Sequence, residues 1–312
     1  MPTFAFVFPG QGSQSVGMLD AWGDHPAVKR TLQEASAALG EDIGRLIREG
    51  PKEALELTIN TQPVMLTAAI VCYRAWLDEG GPLPAAVAGH SLGEYSALVA
   101  AGALTLVDAL SLVRLRAQAM QQAVPLGAGA MAAILGLDAV QVRAGCAAVV
   151  AESGEVVEPA NYNDPRQTVI AGSRAGVDAA CEKLKLMGAK RALLLAVSAP
   201  FHSSLMKPAA DVLREKLVGV TIRPLQIPLV NHVDVAVQTE PDAIRDALVR
   251  QAFGPVRGDE VIQALQARGL VHIFECGPGK VLAGLVKRID GEIVSTTVYD
   301  PASLAQAKEL LG

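Results

Sequence analysis

The sequence predicts an α/β fold in which a larger domain is interrupted by a smaller one. Short apolar runs of strand length alternate with longer stretches whose apolar residues recur at helical spacing, as in α/β architectures. In one region the order becomes strand, helix, strand, strand, helix, strand, which is the signature of a ferredoxin-like domain. With 312 residues, 51% of them hydrophobic, the chain can bury a core for each unit.

The first part of the chain begins the larger domain. Residues 3–8 are an apolar run closed by Pro9-Gly10, which predicts a buried strand that ends in a turn. Apolar residues recur at helical spacing over residues 26–77, and Gly50-Pro51 and Gln62-Pro63 are predicted to mark new helix starts. The other predicted elements here are a buried strand at residues 85–89 and helices at residues 92–101 and 106–124, separated near Gly102.

The smaller domain follows a loop-like cluster at residues 125–129. Its predicted strands lie at residues 131–135, 156–162, 168–172 and 192–197, and its helices lie at residues 140–150 and 177–187. This ferredoxin-like unit, residues 128–197, divides the larger domain into residues 1–127 and 198–312. Short apolar strands at residues 227–230 and 271–275, between helices, resume the larger α/β layer.

The composition excludes several function classes. A formal charge of −5 and 4% aromatic residues argue against nucleic acid as a partner. No apolar stretch has the length of a membrane span, and the segment Met1-Pro2-Thr3-Phe4 lacks the features of a signal peptide, so we expect a cytoplasmic protein without a membrane partner. The four cysteines are far apart, which favours buried thiols over a zinc site or a disulfide framework.

The chemistry is predicted at Gly89-His90-Ser91-Leu92-Gly93. A Gly-x-Ser-x-Gly motif that follows a strand and opens a helix is typical of a nucleophile elbow, in which a sharp turn exposes the serine hydroxyl. The helix start also directs free N–H groups at the reacting carbonyl oxygen. The alternative is an accidental Gly/Ser turn that caps a helix. We therefore predict an α/β-hydrolase-like larger domain with Ser91 as the nucleophile of covalent acyl transfer.

A serine nucleophile needs a base, and the chain has five histidines. His202 lies in a loop between a predicted strand and helix, where the chain returns to the larger domain, so it is the main candidate. His232 follows a strand and is the alternative. The other three, which are placed less well, are His25, His90 and His272.

Two further features point to a substrate site. The Gly-rich loop at residues 8–14 lacks a P-loop lysine and the spacing of a dinucleotide fingerprint, and it fits an oxyanion-hole loop better. Arg114 and Arg116 lie in a mostly apolar helix, and the sequence leaves open whether they are solvated or functional. A carboxylated substrate would favour a functional arginine, because a guanidinium binds a carboxylate through two hydrogen bonds.

Taken together, the motifs resemble those of the malonyl-CoA:acyl carrier protein transacylase family. The resemblance runs in order from Thr3 to about Leu285. The segments that carry it are Gly10-Gln11-Gly12-Ser13-Gln14, Gly89-His90-Ser91-Leu92-Gly93-Glu94-Tyr95, Arg116, Pro200-Phe201-His202 with Leu205-Met206-Lys207-Pro208, and Gly277-Pro278-Gly279-Lys280.

The resemblance assigns the catalytic roles. It implies that Ser91 becomes acylated and that His202 is the general base and acid. It implies an oxyanion hole made by the backbone N–H groups of Gln11 and Leu92. The main-chain carbonyl of Gln251 would orient the histidine in place of a triad carboxylate.

The resemblance also implies the substrates. Arg116 would bind the malonyl carboxylate, and Asn161 and Asn163 would lie at the rim that receives CoA or pantetheine. The expected activity is ping-pong transfer of malonate from malonyl-CoA to the phosphopantetheine thiol of acyl carrier protein for fatty-acid synthesis, by a monomer without a metal or cofactor. Phe201, beside the histidine, matches the malonyl-selective pattern and leaves little room for an α-methyl branch.

Other readings stay open at this point. They are a trans-acting acyltransferase of polyketide synthesis, a serine thioesterase or esterase, and a non-catalytic scaffold that binds carrier proteins. Two departures from the family pattern make the last of these conceivable. Arg166 stands where the family usually has glycine, at the rim, and Gly258 stands where it usually has an aromatic residue, near the segment that orients His202.

Overall fold

The computed structural model describes residues 3–312 and contains two sheets. Met1 and Pro2 lie outside these residues. They belong to the first predicted domain segment, residues 1–127, and to the segment for which no signal peptide is predicted. A parallel sheet forms the larger layer and a mostly antiparallel sheet forms the smaller one. The predicted fold class, an α/β-hydrolase-like domain with a ferredoxin-like insertion, is confirmed.

The larger sheet has the strand order β10-β9-β1-β2-β7, and all its neighbours pair in parallel. Its strands are β1 Phe4–Phe8, β2 Ala86–Gly89, β7 Leu229–Val230, β9 His272–Cys276 and β10 Val294–Val298. The helices that pack around it are α1 Pro26–Leu39, α2 Ile43–Glu49, α3 Lys52–Glu56, α4 Thr58–Asp78, α5 Gly93–Ala100, α6 Leu106–Gln122, α9 Lys207–Val218, α10 Pro241–Arg250, α11 Gly258–Ala267, α12 Val281–Ile289 and α13 Pro301–Glu309.

The smaller sheet has the order β6-β3-β5-β4-β8. Its strands are β3 Gly129–Leu135, β4 Val157–Asp164, β5 Gln167–Ser173, β6 Arg191–Leu194 and β8 Val256–Arg257, and its helices are α7 Ala139–Ser153 and α8 Arg174–Leu186. The strand β8 pairs with β4 but lies outside the predicted small-domain segment of residues 128–197. The predicted boundaries therefore omit one strand of the smaller sheet, because two residues carry too little pattern to be recognised.

The core of the larger layer surrounds β1. All five residues of β1 are buried, and the rings of Phe4 and Phe6 pack on each other and on Trp76, with ring centroids 5.0 to 5.6 Å apart. The register of β1 with β2 pairs Phe8 with Gly89, the last residue of each strand. Parallel pairing thus sets the Gly-rich loop after β1 beside the serine turn after β2.

One helix start is placed differently from the prediction. Gln62-Pro63 does not begin a helix, since α4 starts at Thr58 and contains Pro63. Pro63 is the sixth residue of α4, so it removes one hydrogen bond of the helix, while Thr61 Oγ1 donates to the carbonyls of Leu55 and Leu57 and strengthens the first turn. Over residues 3–312 we find no helix with the length and hydropathy that a bilayer crossing requires.

Candidate active site

Ser91 lies in the sharp turn between β2 and α5, with φ of 54°, in the left-handed region that non-glycine residues rarely adopt. A Cβ atom at Gly89 would lie 2.1 Å from the N atom of Glu94, and one at Gly93 would lie 2.0 Å from the carbonyl oxygen of Phe8. Neither position accepts a side chain without backbone movement. The turn therefore has the geometry of a nucleophile elbow, with strain at the serine of about 1–3 kcal/mol.

His202 contacts the serine directly. Its Nε2 atom lies 2.6 Å from Ser91 Oγ, and its Nδ1 atom lies 2.9 Å from the carbonyl oxygen of Gln251 and 3.1 Å from that of Gly254. Carbonyl oxygens only accept hydrogen bonds, so Nδ1 carries the proton and donates. In the neutral ring Nε2 is then the acceptor, which is the tautomer that a base for Ser91 requires.

The surroundings keep this imidazole neutral. Burial lowers the pKa of His202 well below 6.5, and the positive charge of Arg116 and the nearby rings of His232 and His90 lower it further, while the hydrogen bond to the Gln251 carbonyl raises it. The net direction is downward. At neutral pH the ring is unprotonated and can accept the proton of Ser91.

Arg116 extends from α6 into the same site and is only 1% exposed. Its Nη1 donates to Gln62 Oε1 at 2.9 Å, and its Nη2 donates to Gln251 Oε1 at 2.9 Å and to Ser91 Oγ at 3.1 Å. Within residues 3–312 it forms no salt bridge, and its buried Nε has no acceptor. Burial accordingly lowers its pKa. A guanidinium has five N–H bonds, so this one keeps donors for an anionic ligand beside the serine.

Sequence reasoning missed three contributors to this site. The side chain of Gln62 holds Arg116, the side chain of Gln251 links Arg116 to the main chain of Ser91, and the Gly254 carbonyl accepts from His202. Gln62 and Gln251 are both fully buried. Gln62 directly precedes the apolar run Pro63-Val64-Met65-Leu66 of α4, which is the one signal that the sequence offered, because buried amides require hydrogen-bond partners.

The two predicted oxyanion donors lie in the loops that follow β1 and β2. Gln11 follows β1 and Leu92 caps the start of α5, and over residues 3–312 neither N–H donates to another protein atom. Free N–H groups on two loops beside a serine are what an oxyanion hole requires. The assignment of both N–H groups to an oxyanion hole stays a prediction.

A cleft of about 680 Å³, including its open mouth, lies between the two sheets at Ser91. It is lined by Asn161 and Asn163 from β4, while Leu92 and Gln251 are not among its lining residues. Asn163 Oδ1 also contacts His90 Nε2 at 3.0 Å. The lining residues are Gln11, His90, Ser91, Arg116, Met131, Asn161, Asn163, Val169, Leu195, Val197, Phe201 and His202.

The remaining candidates lie elsewhere. His232, the alternative base, has its Nδ1 atom 2.8 Å from Glu94 Oε2 behind the catalytic ring, and within residues 3–312 its ring makes no hydrogen bond to Ser91. Arg166 is exposed in the β4–β5 turn and does not line the cleft. Gly258 opens a small void that reaches His90 and His232, not the carbonyl of Gln251. Within residues 3–312 no three His, Cys, Asp or Glu side chains could hold a metal ion.

A serine held in this way by an α/β sheet, with a neutral histidine at its hydroxyl, defines the class of serine-dependent acyl-transfer enzymes. Residues 5–288 match the model of the acyl transferase domain family. The chain is 51% identical to the malonyl CoA-acyl carrier protein transacylase of Escherichia coli K12, over 99% of this chain and 100% of that protein. The chain belongs to the malonyl CoA-acyl carrier protein transacylase family.

Solved structures agree with this relationship. A crystal structure of acyl-carrier-protein S-malonyltransferase from Burkholderia pseudomallei 1710b superposes with a TM-score of 0.97 at 63% identity, covering 98% of this chain and 99% of that one. A structure described as a type II PKS acyl-carrier protein in complex with its malonyl-transacylase superposes with a TM-score of 0.96 at 47% identity, covering 99% of each chain.

Proposed function

We propose that this enzyme transfers the malonyl group of malonyl-CoA to the phosphopantetheine thiol of acyl carrier protein through a malonyl ester on Ser91. The observation that carries the proposal is Arg116, a buried guanidinium that forms no salt bridge within residues 3–312 and whose Nη2 lies 3.1 Å from Ser91 Oγ. The Glu94 carboxylate acts on it only as a nearby charge. A buried charge without an ion pair is costly, and a carboxylate on the acyl group would supply one. The family relationship supports the same substrate.

The first half-reaction loads the serine. The carboxylate of malonyl-CoA binds the free donors of Arg116, which sets the thioester carbonyl against Ser91. Ser91 Oγ attacks that carbonyl carbon as His202 Nε2 takes the hydroxyl proton, and the N–H groups of Gln11 and Leu92 stabilise the oxyanion. The C–S bond then breaks as His202 gives this proton to the sulfur, and CoA leaves as the free thiol while His202 is neutral again.

The second half-reaction reverses these steps with a different thiol. His202 takes the proton of the phosphopantetheine thiol, the sulfur attacks the malonyl ester, and the C–O bond to Ser91 breaks as the serine regains a proton. The two thiols use the site in turn, so ping-pong kinetics are expected. Asn161 and Asn163 of β4 line the cleft, and in this proposal their side-chain amides contact the pantetheine amides that both thiols share.

The adduct tests the proposal. After mixing with malonyl-CoA, intact-mass measurement should show one malonyl group on the wild-type chain and none on Ser91→Ala, and acyl carrier protein should remove it. A wild type without the adduct would leave the carrier-binding scaffold as the better reading. An adduct that persists in Ser91→Ala would remove Ser91 from the mechanism.

A thioesterase with the same elbow would release malonate to water. The outcome that would favour a thioesterase is therefore fast hydrolysis of the adduct at a rate that the carrier protein does not change. We expect slow hydrolysis and fast, carrier-dependent release. Fatty-acid synthesis is the proposed context. Because the chain is also similar to a malonyl-transacylase solved with a polyketide carrier protein, the rates of malonyl transfer to carrier proteins of the two classes should be compared to separate the two contexts.

The proposal includes several simpler expectations. The reaction needs no metal or cofactor, because Ser91, His202 and the backbone N–H groups supply the nucleophile, the base and the oxyanion donors. We expect the enzyme to act as a monomer in the cytoplasm. The partners are the two thiol carriers alone, CoA and acyl carrier protein.

A further inference from the structure

A tight turn links β7 to the segment before α10 and lies behind the catalytic histidine. This turn, residues 231–235, is closed by Asn231, whose Oδ1 accepts from the Asp234 N–H at 2.7 Å and whose carbonyl accepts from the Val235 N–H at 3.1 Å. Val235 has φ of 59°, a costly conformation for a β-branched residue. A turn that keeps such strain is held in place by its surroundings.

One end of the turn is fixed to the nucleophile helix. Glu94 lies in the first turn of α5, three residues after Ser91, and is 2% exposed. Its Oε2 accepts from the main-chain N–H of His232 at 3.0 Å and lies 2.8 Å from Nδ1 of the same residue. The ring of His232 packs perpendicular to that of His202, with centroids 6.0 Å apart. The hydrogen bond from the His232 N–H to this buried carboxylate is charge-assisted and fixes the main chain of the turn.

The other end is fixed to the segment that orients His202. Asp234 binds Arg250 through both carboxylate oxygens, at 2.6 and 2.8 Å, and Arg250 directly precedes Gln251. Next to it, Val233 Cγ2 lies 3.1 Å from the position a Cβ atom would take at Gly254. The turn therefore contacts both sides of the 250–254 segment, whose carbonyls hold the histidine.

We propose that the turn of residues 231–235 is a positioning element that fixes the nucleophile helix and the histidine-orienting segment relative to each other, through the Glu94–His232 and Asp234–Arg250 contacts. The Ser91–His202 distance is then set by a bridge of side chains outside the cleft. None of these four residues touches the reacting atoms. This inference rests on the proposed function only for the acyl group that Ser91 receives, which is malonyl.

The Asp234–Arg250 contact can be tested with a matched control. Arg250 also binds Asp246 through its Nε at 2.6 Å, and Asp246 lies one turn earlier on α10 with its side chain 64% exposed. Asp234→Asn and Asp246→Asn each remove one carboxylate from the same arginine. Only the first loosens the turn, because Asp246 belongs to the helix that already carries Arg250.

The readout is the rate at which phenylmethanesulfonyl fluoride modifies Ser91, beside the rate of malonyl adduct formation. Sulfonylation forms the Oγ–S bond, expels fluoride and needs the Ser91–His202 pair, but it needs neither Arg116 nor a carboxylate. We expect Asp234→Asn to slow both reactions by roughly 10-fold, since small misplacements of catalytic groups cost up to about 100-fold. Asp246→Asn should stay within about 2-fold of wild type, and Asp234→Glu should recover part of the rate.

Thermal unfolding of each variant, with assays well below the transition, separates positioning from loss of fold. If Asp234→Asn does not fold, the folded variants Asp234→Glu and Arg250→Lys carry the same comparison with Asp246→Asn. Equal sulfonylation rates for the turn variants and Asp246→Asn would overturn the proposed positioning role. A wild type that is sulfonylated but never malonylated would instead overturn the proposed function and leave the positioning role standing.

Discussion

Replacing Arg116 with alanine should change which acyl group the enzyme accepts. Arg116 is 1% exposed, and its Nη2 donates to Ser91 Oγ at 3.1 Å, so the guanidinium lies where it can donate to the carboxylate of a malonyl group on Ser91. In the variant that carboxylate would enter the same buried position without a partner. Truncating one partner of a buried, hydrogen-bonded charge pair costs about 2–5 kcal/mol, and about 1.4 kcal/mol corresponds to a tenfold change. The second-order rate constant for malonylation of Ser91 should fall at least about 30-fold.

Acetyl-CoA provides the internal reference, because acetate lacks the second carboxylate. The assay is quenched-flow formation of acyl-serine from malonyl-CoA and acetyl-CoA, followed by intact mass, and the reported quantity is the ratio of the two rate constants. Arg114→Ala is the matched control, since Arg114 lies on the same helix but binds Glu41 and Asn60 outside the cleft. A malonyl-to-acetyl ratio that Arg116→Ala leaves unchanged would refute the assignment of the carboxylate to Arg116.

Two further predictions concern pH. Because the pKa of His202 lies well below 6.5, the rate of Ser91 sulfonylation should stay constant from pH 8 down to pH 6.5. The rate should fall only in more acid solution, where the ring gains a proton. A half-maximal rate at or above pH 6.5 would contradict this prediction. Burial raises the pKa of Glu275 from 4.5 to about 7, so ionising this carboxylate opposes folding, and the stability of the protonated form is lost as pH rises through 7. Because Glu275 Oε2 also accepts from the Ala283 N–H, Glu275→Gln is compared at two pH values, and the change in unfolding free energy should be more favourable at pH 8 than at pH 5 in urea titrations. An equal change at both pH values would count against this prediction.

The parts of the site that the sequence predicts are those whose geometry is local. The nucleophile elbow is local, because Gly89, Ser91 and Gly93 lie within five residues. The close approach that excludes a Cβ atom at Gly93 comes from Phe8, the last residue of the neighbouring strand β1. Strands of four or more apolar residues around it were also predicted, although their ends differ by a few residues.

The parts that were missed depend on distant chain segments. Gln62 and Gln251 reach Arg116 from α4 and from the end of α10, and no local pattern links a glutamine to an arginine more than fifty positions away. The strand β8 is two residues long and has no periodicity to recognise. Because β8 pairs with β4, the smaller sheet contains residues from two separate chain segments, and a single continuous range cannot describe its domain.

Gln251 joins two functions that the sequence presents separately. Its carbonyl accepts from His202, while its amide oxygen accepts from Arg116 and its amide nitrogen lies 3.4 Å from the carbonyl oxygen of Ser91. The charge of Arg116 is also one of the causes that lower the pKa of His202. A malonyl carboxylate bound to Arg116, as proposed, would offset that charge and so favour a higher pKa of His202 than an uncharged acyl group does. The same guanidinium would then favour malonate both in binding and in the proton transfer that follows.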